Sequence, residues 1–171
     1  MDLKSYVRDV PDFPQPGVLF RDVTPLLQNA KAFNHAVSLF TEQYRDANLD
    51  VVVGIESRGF IFAAPIAHEL GLSLVPIRKP GKLPAPKMTV EYTLEYGQGH
   101  LDIHKDAILP GQRVLIVDDL LATGGTAVAS ARLIEILGGS IVALAFLVEL
   151  IGLDGRQSLQ GYETTSLIKY S

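Results

Sequence analysis

The sequence predicts an α/β fold with a central, mostly parallel sheet flanked by helices. Three observations predict it. Short, largely apolar runs rich in β-branched residues recur at 49–55 (LDVVVGI), 114–117 (VLIV) and 141–150, as strands covered on both faces require. The first run is followed by a helical pattern and a further strand at 72–77, the length of a βαβ crossover, right-handed by default. Between Pro80 and Pro110 the period changes to two, which marks an antiparallel hairpin inserted into the parallel domain.

Taken in order, residues 2–9 read as a short helix stopped by Pro11. The stretch 11–22, PDFPQPGVLFRD, carries three prolines that forbid a helix and impose an extended course. Its Val18, Leu19 and Phe20 leave two readings open. One is a loop pinned to the core; the other is a rigid backbone with apolar neighbours, suited to a flat heterocycle. Asn29 can cap a helix over 30–45 that buries Phe33, Val37 and Phe40 or Tyr44. The strand at 49–55 ends in Glu56-Ser57-Arg58-Gly59 and a helix through Leu70, closed by Gly71. The strand at 72–77 exits into Arg78-Lys79-Pro80-Gly81-Lys82.

In the hairpin, Val90, Tyr92, Leu94 and Tyr96 alternate with polar residues, Gly97-Gln98-Gly99 reads as the turn, and Leu101 and Ile103 resume the alternation. An insertion of this length flanked by glycine and proline is often a lid, and Glu95 and Tyr96 fall near its tip. Pattern alone supports a plain surface hairpin equally well. His100 and His104 lie on a strand, where four residues span ~13 Å, too far to share one ion, and read as its solvated face. Beyond the central strand a helix ends at Gly138-Gly139, 141–150 is a strand, and 162–170 is an edge strand.

The 171 residues suffice for one domain that buries about two-thirds of its unfolded surface. A formal net charge of −4 argues against nucleic acid or an anionic membrane surface as partner. There is no cysteine, which excludes disulfides, zinc–thiolate sites and thiol nucleophiles and fits a reducing cytoplasm. The N-terminal residues carry no apolar signal region, and the apolar run 141–148 is too short to span a bilayer.

The chemistry concentrates in residues 114–127, VLIVDDLLATGGTA. Here a buried strand delivers Asp118 and Asp119 to its carboxyl end, where open α/β sheets place their ligands. Thr123-Gly124-Gly125-Thr126 then leads into a helix N-terminus, whose free N–H groups favour an anion. Two carboxylates beside an anion cradle fit a phosphorylated sugar: phosphate on the loop, hydroxyls or a metal on the aspartates. A Walker loop would need a lysine before Thr126, and a dinucleotide fingerprint needs three spaced glycines opening the first helix. Fold rules bring the ends of the strands at 49–55 and 72–77 to the same crevice. They add Glu56-Ser57-Arg58-Gly59 and Arg78-Lys79, and hence room for a second phosphate group.

VLIVDDLLATGGTA resembles the phosphoribosyl-pyrophosphate motif of the type I phosphoribosyltransferases. With PDFPQPGVLFRD, GIESRGF, RKPGKLP and LEYG in the family's order, the whole chain resembles the adenine-specific members. The resemblance implies the type I phosphoribosyltransferase fold over residues 1–171 as one domain. Residues 1–30 would form a small N-terminal hood that recognises the base, and 80–110 a flexible lid hairpin.

It further implies that AMP and pyrophosphate form from adenine and 5-phosphoribosyl 1-pyrophosphate, with Mg²⁺ as cofactor, in a cytoplasmic homodimer. Ala122, Thr123, Gly124, Gly125 and Thr126 would hold the 5′-phosphate. Asp118 and Asp119 would face the ribose hydroxyls, stabilise the oxocarbenium-like transition state and stand near the Mg²⁺ carried by the substrate. Glu56, Ser57 and Arg58, in a loop with a non-proline cis peptide, would bind pyrophosphate with Arg78, Lys79 and Lys82, some of them across a dimer interface. Leu19, Phe20, Arg21 and Leu120 would line the adenine site. Glu95 would exchange a proton with the base and Tyr96 would screen the site from water. The alternatives are another purine phosphoribosyltransferase, or a regulator that senses the sugar pyrophosphate on the same fold.

Overall fold

The computed structural model describes residues 1–94 and 97–171; Glu95 and Tyr96 lie outside the described residues. The chain opens with a 3-10 turn (Leu3–Tyr6) and an antiparallel hairpin of β1 (Arg8–Pro11) and β2 (Leu19–Asp22). This corrects the expected helix over 2–9. Charges placed opposite one another favour the strand pairing. Arg8 meets Asp22 at 2.8 Å and Arg21 meets Asp9 across the two strands. The proline-rich stretch is therefore the hairpin's loop and second strand, and its Phe13 packs edge-on against Phe20 at 5.1 Å.

A short helix α1 (Thr24–Gln28) precedes α2 (Ala30–Tyr44), which is capped as expected by the Asn29 side chain accepting from the Ala32 N–H at 3.1 Å. Val37, Phe40 and Tyr44 are buried along it. Next come β3 (Val51–Ile55), α3 (Gly59–Leu70), closed by Gly71 in the left-handed conformation, and β4 (Ser73–Ile77). The insertion supplies β5 (Lys87–Leu94) and β6 (Gly97–His104), paired antiparallel. The remainder is β7 (Arg113–Leu121), α4 (Gly125–Ile136), β8 (Ser140–Leu150), a 3-10 turn (Ile151–Leu153), α5 (Gly155–Ser158) and β9 (Thr164–Tyr170).

The main sheet has five strands in the order β4-β3-β7-β8-β9, all pairs parallel. The expected central sheet and its C-terminal edge strand are present. Alternate residues serve two cores, as the pleat dictates. Val52, Leu115, Val117 and Ala145 face α2 and α3, whereas Val53, Ile55, Ile116 and Phe146 face α4 and the inserted hairpin. Val90, Leu101 and Ile103 are buried in this second core, so the hairpin's apolar side is a structural layer.

Gly97-Gln98-Gly99 belongs to β6, correcting the expected turn there. Gly99 sits opposite Tyr92, whose ring fills the space beside it; a Cβ on Gly99 would stand 2.6 Å from that ring. The glycine answers to cross-strand packing.

Candidate active site

β7 pairs with β3 only as far as Val117, while its pairing with β8 continues to Leu121. Asp118 and Asp119 thus lie in a strand that has just lost one neighbour, at the opening left where β3 turns away into Glu56-Ser57-Arg58. The Glu56–Ser57 peptide bond is cis. Asp119 is buried and ion-paired with Arg58 (Nε to Oδ2, 2.5 Å), and Asp118 accepts the Asp119 N–H at 2.8 Å. Burial, and then the neighbouring Asp119 charge, push the Asp118 carboxyl well above the usual carboxylate range. Two adjacent carboxylates with one cation between them form a site short of positive charge or of hydrogen-bond donors.

A cavity of about 440 Å³ lies over this opening, lined by Glu56, Ser57, Arg58, Lys79, Asp118, Asp119 and Leu120 among others. A smaller one of about 80 Å³ adjoins it, with Ala122, Thr123, Gly124, Gly125 and Thr126 along its wall. Asp118, Leu120, Ala122 and Thr126 line both cavities. The three strand ends expected to converge do so.

Arg78 and Lys79 reach the site through Glu56. Arg78 Nε donates to Glu56 Oε2 at 3.2 Å and the Lys79 N–H to the same oxygen at 2.8 Å. Burial acts to raise the Glu56 pKa, but these donors outweigh it and hold the carboxyl below its ordinary value. Arg78 and the exposed Lys82 lie off the walls of the two cavities.

On β2, Phe20 stacks under the Arg58 guanidinium, 5.4 Å from the ring centre, which ties the N-terminal hairpin to the site. Leu19 is exposed, and the Arg21 side chain turns to Asp9 and the Tyr170 ring. None of Leu19, Phe20 and Arg21 is on the walls of the two cavities. Glu95 and Tyr96 fall outside the described residues.

Sequence reasoning missed three contributors. Tyr92 and Leu101 of the hairpin line the larger cavity, and Phe146 of β8 lines the smaller. The signal for Tyr92 was present: it shares the period-two face of the buried Val90. Sequence reasoning also missed the segment 155–158, which packs against the glycine loop and for which the sequence carries no motif.

A profile of the phosphoribosyl transferase domain matches residues 22–161. The adenine phosphoribosyltransferase of Acaryochloris marina is 56% identical over 170 residues, covering 99% of this chain and all of that protein. The crystal structure of adenine phosphoribosyltransferase from Thermoanaerobacter pseudethanolicus superposes with a TM-score of 0.96 at 53% identity, covering 99% of this chain and 98% of its own. The Saccharomyces cerevisiae enzyme, solved with an imino-altritol bisphosphate and adenine, gives a TM-score of 0.92 at 38% identity over 97% and 96% of the two chains. The paired aspartates, glycine loop and arginine-bearing turn thus stand in a chain that belongs to the phosphoribosyltransferase family, among the adenine phosphoribosyltransferases.

Proposed function

We propose that this chain forms AMP and pyrophosphate from adenine and 5-phosphoribosyl 1-pyrophosphate, a pentosyl transfer that salvages the purine. The observation that carries it is the meeting of the Asp118–Asp119 pair, the 122–126 loop and the Glu56–Arg58 turn at adjoining cavities that share four residues. In the reaction a bond forms between adenine N9 and ribose C1′. The C1′–oxygen bond breaks, pyrophosphate leaves with the electron pair, and the N9 proton passes to a base.

The 122–126 loop holds the 5′-phosphate on backbone N–H groups at the α4 N-terminus. Asp118 and Asp119 lie under the ribose, where their charge stabilises positive charge building at C1′. The hydroxyls of the sugar donate to them, which offsets the burial and, after it, the Asp119 charge that raise the Asp118 pKa. Glu56, Ser57, Arg58, Arg78, Lys79 and Lys82 serve the pyrophosphate, with Arg58 and Lys79 on the cavity wall. Leu19, Phe20, Arg21 and Leu120 serve the base, supported by the Phe20–Arg58 contact and by Leu120 on both cavity walls. Glu95 exchanges the base proton and Tyr96 excludes water, both on the strength of the resemblance.

Among the described residues no three His, Cys, Asp or Glu side chains gather as a metal cage. Two carboxylates alone fit Mg²⁺ that keeps waters and substrate oxygens as its main ligands, with Asp118 and Asp119 as the protein's share. When bound, Mg²⁺ neutralises charge on the departing pyrophosphate. A homodimer is supported by the exposed apolar side chains of Ile61 and Leu74 on α3 and the β4 edge. The described helices include none long and apolar enough to cross a membrane, and a cytoplasmic site rests on the lack of cysteine.

The assay is AMP formation from adenine and 5-phosphoribosyl 1-pyrophosphate. Turnover with adenine is expected; turnover with hypoxanthine, guanine or xanthine in its place would sink the substrate assignment. No turnover with any purine, together with salt-sensitive binding to duplex DNA, would favour the regulator.

A further inference from the structure

We propose that Gly155, Arg156 and Ser158, locked by Glu149, are positioning residues that hold the 122–126 loop in its anion-binding shape. This rests on the reading of that loop as the 5′-phosphate site. The β7–β8 ladder ends at the pair Leu121 and Glu149, so the loop begins where sheet hydrogen bonding stops. What replaces the sheet is residues 155–158.

The contact is backbone on backbone. A Cβ added to Gly155 would lie 2.1 Å from the Ala122 carbonyl oxygen, and one added to Gly124 would lie 2.7 Å from the Gly155 oxygen. Only glycine at both places allows that approach. Ser158 Oγ donates to the Thr123 carbonyl at 3.0 Å. The carbonyls of Ala122 and Thr123 are thus both engaged by this segment. In a planar trans peptide the N–H of the next residue points opposite to the carbonyl. The N–H groups of Thr123 and Gly124 are therefore turned away from the segment. The small cavity lies on a side with none of residues 155–158 in its wall.

The segment is in turn anchored twice. Leu159 is buried in the core beside α4. Arg156 forms a two-point bridge to the buried Glu149, Nε to Oε1 at 2.9 Å and Nη2 to Oε2 at 2.5 Å, and donates to the Thr164 carbonyl at 2.7 Å. Ser166 Oγ donates to Glu149 Oε2 at 2.7 Å, so β8, β9 and α5 share one polar knot. This knot takes no part in the proposed transfer chemistry, and its position explains a buried carboxylate one residue-pair from the phosphate loop.

Binding measurements on the full chain test the proposal, using ribose 5-phosphate as the probe of the loop and pyrophosphate as the probe of the Glu56–Arg58 turn. Gly155→Ala forces a displacement of about 1 Å on the loop and is expected to weaken ribose 5-phosphate at least tenfold. Pyrophosphate affinity is expected to stay within about twofold, because the turn is untouched. Ser158→Ala, which removes one hydroxyl and leaves the fold intact, is expected to weaken ribose 5-phosphate about threefold. Arg156→Lys should fall between wild type and Arg156→Ala.

Equal weakening of both probes in folded Gly155→Ala and Ser158→Ala protein, or no change in either, overturns the positioning role. If Gly155→Ala does not fold, Ser158→Ala decides alone. Thr126→Asp, which puts a carboxylate into the anion cradle, separates the two layers of the argument. If it leaves ribose 5-phosphate affinity unchanged, the loop assignment falls and the positioning role with it; if it weakens affinity and the 155–158 variants do not, only the positioning role falls.

Discussion

Asp118 and Asp119 are neighbours in two different electrostatic settings. Adjacent in sequence, they differ in partner: Arg58 pairs with Asp119. Asp118 is left protonation-prone by burial and by its neighbour, a state that hydroxyl donors or a cation at C1′ would reverse. Changing Asp119 to Asn removes the charge that holds Arg58 and is expected to lower kcat by two orders of magnitude or more, on the order of the loss of one electrostatic contact to the transition state. Unchanged kcat with raised KM would show that the pair binds substrate without stabilising the transition state. For Glu95, Glu95→Ala is expected to reduce kcat by roughly 10²- to 10⁴-fold while AMP binding stays nearly intact. Loss of AMP affinity to the same degree would contradict the proton-transfer role. Asp118, Asp119 and the 122–126 loop were legible because carboxylates and glycines at the end of a buried strand have few structural reasons to be there. Tyr92 and Leu101 were harder to read, since an aromatic or a leucine in an alternating strand looks the same whether it faces a core or a cavity wall.

At the scale of elements, the parallel strands could be read because each is short, apolar and β-branched, and burial on both faces leaves no other pattern. The N-terminal hairpin could not: Arg8, Asp9, Arg21 and Asp22 have no apolar alternation, and their pairing depends on charges 12 to 14 residues apart. Asp102 of β6, which lies between His100 and His104 and is buried, was equally opaque. It accepts from Thr89 Oγ1 at 2.6 Å, meets Lys87 Nζ at 3.0 Å, and its backbone exchanges hydrogen bonds with Arg78. The base of the hairpin is thereby fastened to the loop that carries the basic residues. Replacing Asp102 by Ala is expected to cost about 1–3 kcal/mol and to speed amide exchange in β5 and β6 over that in β7. Uniform exchange rates across both would show that the fastening is not local.

The Glu149–Arg156 bridge predicts an acid response. Arg156, then opposed by burial and helped by Ser166, lowers the Glu149 pKa from its ordinary 4.5 to about 2. A depressed carboxylate stabilises the fold above its unfolded value and loses that contribution as pH falls through the folded one. Stability should therefore decline between about pH 4.5 and 2, by about 2 kcal/mol once the 42% exposure of Arg156 is allowed for. Glu149→Gln should flatten this part of the profile; denaturant midpoints with an unchanged slope in pH would contradict the assignment.

For the molecule as a whole, the five-stranded sheet does one thing for function: it stops. β3 ends before β7, and the gap holds the aspartates, the Arg58 turn and the cavity between them. The division of labour follows from where each part is anchored. The 122–126 loop is tied through α5 to β8 and β9, whereas Leu19–Arg21, proposed for the base, come from a separate two-stranded sheet. The loop motif alone indicates only phosphorylated ribose. On the proposed reading the choice of adenine depends on Leu19–Arg21 and Glu95, which lie far from it in sequence, so the motif that is easiest to read is the least informative about the base. The most direct measurement is a crystal structure of the chain with AMP. The 5′-phosphate is expected on the backbone N–H groups of residues 123–126, the ribose hydroxyls on Asp118 and Asp119, and the adenine ring beside Phe20. A phosphate bound instead at Arg58 and Lys79, with the 122–126 loop empty, would contradict it.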